Sequence, residues 1–356
     1  MKTATVPILR VRGLAACMTL GLTLVGCGGG DDAREERSAS TVTAAAAPET
    51  PTAKALGIKK PKARALDRKG VTSIVVAPDG RSLALAASDG SVSVLEPGSL
   101  KLKKLLKAAG GSATAGLLFS ADSQHLVSAG RDSAVRLWRI GAGDAPLTMQ
   151  GHEGGLRAVA SNSGGTLVAA GGEETRVMLW DATTGRLVRV LRGATDFVNA
   201  LSFTPDGRLV AGGGGDARIH VWDTASGKVV RVLLGHADEV NALAFSPDGK
   251  LLASAGEDGK VIVWDAASGQ QVQALSGQPA AIRALSFSRD GQVLVGGGAG
   301  GTVSVWDVAQ RALTQEFTAP GTTVNSIAFD VLDPNLLFVG DDQGQVSTKT
   351  IKRAKT

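Results

Sequence analysis

Trp138, Trp180, Trp222, Trp264 and Trp306 are the only tryptophans in the chain, and each lies 42 residues from the next. Four of the five are followed by aspartate. Chemistry at a single site has no reason to recur at a fixed interval, whereas a building unit does. Length alone, at 356 residues, would suggest about two domains. A sustained period outranks that estimate, because repeated units bury their apolar faces only against one another.

The unit reads most fully over residues 235–276, GHADEVNALAFSPDGKLLASAGEDGKVIVWDAASGQQVQALS. Four short apolar segments are expected as strands: Val240–Phe245, Leu251–Ser254, Val261–Trp264 and Gln271–Leu275. Pro247-Asp248-Gly249 separates the first two, with proline presetting φ and glycine taking the positive-φ position. Asp258-Gly259 separates the next two as a two-residue hairpin signal, and Asp265 opens the last turn, closed by Gly269. The result is a four-stranded antiparallel meander. Phe119, Phe203, Phe245, Phe287 and Phe329 end the first strand in five such units, at multiples of 42 residues. Segments such as NALAFS and VIVW are apolar at nearly every position instead of alternating. Both faces of each sheet must therefore be covered, as when small sheets stack around an axis.

Seven units fit between about residue 67 and the end of the chain. The pattern resembles the WD-repeat β-propeller family, marked by Gly-His near the start of a unit and Trp-Asp near its end. The resemblance implies an all-β, seven-bladed propeller of four-stranded antiparallel blades, spanning residues 58–356. The last unit lacks a fourth strand, and Lys60–Leu66 lies where one would precede the first unit. In this family such a segment closes the ring by adding the outer strand of the last blade, which removes an exposed sheet edge. The resemblance also implies a buried tetrad per blade, complete here only as His236, Ser254, Asp258 and Trp264. Blade two keeps Ser128, Asp132 and Trp138. Blade three keeps His152 and Trp180, with Glu174 at the aspartate position. Blade four keeps Asp216 and Trp222 but has Ala194 and Gly212. Blade six keeps Trp306, with Gln278 and Gly300, and blades one and seven carry Leu95 and Lys349 in place of tryptophan. These side chains are read as structural, not catalytic. His125 and His220 fall in strands with no acidic partner at useful spacing and read as edge or surface residues. Asp341-Asp342 reads as a solvated hairpin turn.

The N-terminus carries a second signal. Lys2, Arg10 and Arg12 precede an uncharged, mostly apolar run from Gly13 to Gly26. That pattern is secretory, and too short for a membrane span of about 20 apolar residues. It ends Leu24-Val25-Gly26-Cys27, which resembles the lipobox of bacterial lipoproteins. The resemblance implies a signal peptide over residues 1–26, a lipidated Cys27, and acyl chains as a firm membrane anchor. Gly28 after the cysteine implies sorting to the outer membrane, facing the periplasm. Residues 27–57, rich in Gly, Ser, Thr, Pro and charge, read as a flexible tether. Without Lys2, Arg10 and Arg12 the 38 basic side chains fall to 35, against 33 acidic. So nearly neutral a chain gives no reason to expect a nucleic-acid partner.

The position one residue into each first strand reads Thr72, Ala115, Arg157, Asn199, Asn241, Arg283 and Asn325, a partial polar ring expected at the mouth of the channel. Phe197 and Glu239 stand in the preceding loops. Aromatic and arginine side chains are common interface hot spots, so Arg157, Phe197, Asn199, Glu239, Asn241, Arg283 and Asn325 are the expected protein-binding residues. Basic clusters, Lys59–Lys69 and Lys349–Lys355, would meet on closure and read as edge protection or as a contact with anionic lipid or cell-wall polymer. No phosphate loop, H-E-x-x-H, calcium loop or G-x-S-x-G elbow occurs. The reading is therefore a monomeric, non-enzymatic, lipid-anchored envelope scaffold for protein partners, with no catalytic residue, cofactor or metal. The alternatives are a channel enzyme or cofactor binder, which would need acidic, histidine or aromatic side chains converging on the channel, and a glycan-binding module, which would need exposed aromatic platforms.

Overall fold

A computed structural model describes residues 64–65, 70–107, 112–141, 145–275 and 280–353. The signal expected over residues 1–26 and the tether expected over 27–57, with Cys27, lie outside the described residues, as do Lys59, Lys60, Lys62, Arg68, Lys69 and Lys355.

Every regular element among the described residues is a strand, and the strands form seven four-stranded antiparallel sheets. Blade five comprises Val240–Phe245, Leu251–Gly256, Val261–Asp265 and Gln271–Leu275. The expected segments form in the expected order, and the second and third run slightly past their expected ends. The proline-led turn forms as anticipated: the Gly249 N–H donates to the Ser246 carbonyl at 2.8 Å, with Gly249 at φ 71°. The next connection differs from the two-residue hairpin expected at Asp258-Gly259. Four residues, 257–260, join the strands, and Gly259 ends the turn in the left-handed region at φ 71°. The longer loop frees the Asp258 side chain to turn back toward its own sheet.

Blade seven is built from Val324–Phe329, Leu336–Asp341 and Gln345–Thr350, and its outer position is filled by Arg64–Ala65. Arg64 pairs with Val346 and Ala65 with Gln345. Apolar packing runs across the same seam, where Val71, Ile74 and Leu83 of blade one meet Leu336, Phe338 and Val346 of blade seven. The ring is closed. Beyond blade seven the Lys352 N–H donates to Gln315 at 2.8 Å, and the Arg353 guanidinium bonds the Pro334 carbonyl at 2.9 Å and pairs with Asp290. Part of the expected basic cluster is thus spent holding the chain end against blade six.

The core lies between blades. Trp222 of blade four is fully buried against Leu179 and Leu191 of blade three, and Trp264 packs likewise against Val221 and Leu233 of blade four. Burying such a side chain contributes about 2–3 kcal/mol, so each junction carries several of these contributions. Second strands are buried on both faces, as in Val293–Gly298 of blade six, whereas fourth strands such as Val229–Leu234 are largely exposed. This gradient accounts for the near-continuous apolar character of the inner segments.

Candidate functional site

The seven positions named as a ring share a backbone cause. In every blade the pairing of first and second strands slips by one residue near the start of the first strand. The residues passed over are Thr72, Ala115, Arg157, Asn199, Asn241, Arg283 and Asn325. A β-bulge re-aims its side chain out of the ladder, and all seven line one cavity of about 530 Å³. Across the bulge the backbones approach so closely that a Cβ on Gly256 would stand 2.3 Å from the Glu239 carbonyl oxygen. Glycine is required there.

One arc of the rim is interlocked. The Arg157 guanidinium donates to Asn199 at 3.1 Å, and the Asn199 amide donates to Asn241 at 3.2 Å and Glu239 at 3.3 Å. Asn241 in turn donates to Glu257 at 2.9 Å. Phe197 does not project freely: it is half-buried, and the Arg157 guanidinium lies 4.2 Å from its ring centroid. Asn325 serves the seam, donating to the Val71 carbonyl of blade one at 2.9 Å. Arg283 differs, being exposed with no hydrogen bond to its guanidinium among the described residues. Arg131 and Glu257 also line the cavity. Sequence reasoning missed both, because they sit in the turns after the second strands, a different place in the repeat.

Behind the rim, carboxylates anchor the loops. In blade five His236 Nδ1 lies 3.0 Å from Asp258, its Nε2 lies 2.8 Å from the Ser254 hydroxyl, and the Trp264 indole donates to the same hydroxyl at 2.8 Å. Burial holds His236 below its ordinary value, outweighing the raising pull of Asp258. Burial alone would raise Asp258, but the Ala237 N–H and His236 overcome it and hold the carboxyl below its usual range. In blade three His152 lies 3.0 Å from Glu174. Burial again opposes, yet Arg176 and the N–H groups of Glu153 and Gly154 bring Glu174 down to about 2.

Three readings of single residues need correction. His220 is not a surface residue: it is buried, stacks on Trp222 and lies 2.9 Å from Asp216. Asp216 is four residues upstream on the adjoining turn, a spacing that brings the pair together only once the hairpin forms. His125 is half-buried and lies 3.7 Å from Asp122. Asp341 is not solvated but 1% exposed, accepting N–H bonds from Gly321, Gln343 and Gln345. It closes its strand where blades two to six have glycine and blade one has Ala87, so the Asp-Asp pair is divided, with Asp342 outside bonding the Thr322 loop. Lys349, in the tryptophan position of blade seven, donates to the Thr318 carbonyl at 2.8 Å, much as the Trp222 indole donates to the Arg192 carbonyl at 2.8 Å.

The model of the WD domain, G-beta repeat, matches residues 106–139, 143–181, 185–223, 227–265 and 269–307, together more than half of the chain. The chain belongs to the WD40 repeat family. The five matches end on or beside the five tryptophan motifs, and the structure adds the two WD40 units, first and last, whose third strands lack one. No curated protein matches the chain. Among the described residues there is no His, Cys, Asp and Glu grouping suited to a metal ion, and no helix long and apolar enough to cross a membrane.

Proposed function

We propose that this WD40 propeller is a lipid-anchored scaffold of the bacterial envelope that binds protein partners at the channel mouth and performs no catalysis. WD40 propellers commonly serve as protein-interaction scaffolds. The observation that carries the reading is the convergence of seven bulged side chains on one concave mouth. A hydrogen-bonded arc from Arg157 to Glu257 gives it a preorganised wall, and Arg283 gives it an uncommitted charge. Preorganised polar groups lose little entropy on binding, which is what a recognition surface needs.

The anchor rests on the Lys2 to Cys27 segment, read by its likeness to lipoprotein signals. Two measurements test the halves separately. A photo-crosslinking residue placed at position 283 in intact envelopes should capture a defined partner set that Arg157→Ala depletes. Equal capture of the same proteins by Arg157→Ala would place recognition elsewhere. Cys27→Ser should move the protein from the membrane fraction to the soluble fraction, and retention in the membrane would remove the lipid anchor.

A further inference from the structure

The junction between blades two and three departs from its neighbours. At the next three junctions the phenylalanine ending the first strand of one blade packs against the blade before it, as Phe203, Phe245 and Phe287 do. At the corresponding place blade three has Ser161. Leu167, Leu209 and Leu251 begin the second strands that flank those three phenylalanines, and His125 takes that place in blade two. Two apolar groups that would meet across the junction have both been replaced by polar ones. A cavity of about 400 Å³ lies at this junction, with Leu118, Val127, Leu137 and Val168 among its walls and His125 and Ser161 at its polar side. The cleft between blades four and five, where Leu209 and Phe245 are kept, is lined mainly by turn residues and Leu209 instead of such a set of inner-strand side chains. Leu137 is partly exposed there, whereas its counterparts Leu179, Val221 and Val263 are buried.

The volume falls within the range of small-ligand pockets, and an apolar cavity of roughly 150 Å³ already admits benzene. The shape removed is that of a phenyl ring, and the groups added are hydrogen-bonding. Asp122, also on the wall, is engaged with Ser120 and the Gln124 N–H of its own turn, as Asp248 is with Ser246 and Lys250. It is ordinary turn chemistry and not the distinguishing feature. An aromatic ring with a polar end fits the paired exchange, because a buried tyrosine hydroxyl needs a partner. The chain itself contains no tyrosine. A tyrosine ring placed there would come from another molecule.

We propose that this interblade pocket receives a tyrosine side chain presented by a partner polypeptide, its ring against Leu118, Leu137 and Val168 and its hydroxyl toward His125 and Ser161. The pocket lies at the end of the blades opposite the channel mouth, so it is a second docking point whose test does not depend on the first.

The test titrates N-acetyltyrosinamide and N-acetylphenylalaninamide into the full chain, read from the ring resonances of its four histidines. Tyrosinamide should shift His125 selectively with a Kd of about 1 mM, a typical strength for so small a probe, and bind more tightly than phenylalaninamide. Ser161→Phe, which restores the residue of the other junctions, should raise the Tm by a few degrees and weaken binding at least tenfold. His125→Leu lacks the reporter histidine and is followed instead by saturation transfer to the ring protons of the two amides. It leaves Ser161 in place and should erase the preference for tyrosine, which covers the case in which Ser161→Phe does not fold. No shift of His125, equal binding of the two amides by the natural chain, or binding undiminished in folded Ser161→Phe would each overturn the proposal.

Discussion

Blades four and five meet the same requirement with side chains from different places. Both hold a carboxylate on the turn after the second strand, and both hold that carboxylate with an imidazole. In blade five the imidazole, His236, comes from the loop before the first strand and also reaches Ser254, which receives the Trp264 indole. In blade four Ala194 stands near that loop position and Gly212 replaces the serine. His220 reaches Asp216 from the third strand instead, and the Trp222 indole turns to the Arg192 carbonyl. Blade two uses the same third-strand position, where Arg136 grips Asp132 with bonds of 3.1 and 2.6 Å. What is retained is a satisfied carboxylate and a satisfied indole, not a set of sequence positions. A buried polar group left unpaired costs more than a paired one contributes, so loss of one donor creates a need that any neighbouring strand position can meet.

The comparison can be broken first at Asp258. Asp258→Ala leaves His236 buried without its carboxylate and frees the Ala237 loop, so chemical denaturation should show a loss of about 3 kcal/mol. A loss under about 1 kcal/mol would mean that the tetrad is ornamental. Ser254→Ala orphans both an imidazole nitrogen and an indole, with about 2 kcal/mol expected. The matching Ser128→Ala in blade two orphans only the Trp138 indole and should cost about 1 kcal/mol. Equal losses would show that His236 draws nothing from the serine. His220→Leu tests the substitute arrangement and should also cost about 1 kcal/mol, because Asp216 keeps its bonds to Thr195.

Acidification sharpens the contrast within blade five. His236 and Asp258 both sit below their ordinary values in the folded chain. The unfolded chain therefore takes up protons that the native state refuses, and stability falls as pH drops. For His236 the loss begins as pH falls through about 6.5, the ordinary histidine value. For Asp258 it comes below the ordinary aspartate value of 3.8, as its carboxylate is protonated. His236→Gln should flatten the stability profile between about pH 7 and 5, and an unchanged slope would assign the acid response to other groups. The smallest effect belongs to the rim, where Phe197→Ala should cost about 0.5–1 kcal/mol through its contact with Arg157.

Much of the fold could be read directly from the chain. The turn glycines, the paired apolar runs and the tryptophan interval place the strands of blade five within two residues of where they form. The missing outer strand of blade seven follows from counting strands, and its replacement from the N-terminal side is what the resemblance to WD-repeat propellers implies. The site was less legible. The ring positions can be listed from the repeat, but not the backbone slip that turns them into the channel, because a bulge is a property of two strands in register. His220 and Asp341 were misread for a related reason. Each bonds to a neighbour brought close by a hairpin, where spacing along the chain misleads.

The sequence by itself determined that one frame is used seven times, since a period of apolar runs and turn residues is a local property of the chain and survives variation in any single unit. The tertiary structure decided which variations matter. Ser161 and His125 are unremarkable in their own strands, and only the stacking of blade three on blade two makes them face one another across a void. Burial, hydrogen-bond satisfaction and cavity volume arise between units, so they become readable once the ring has closed.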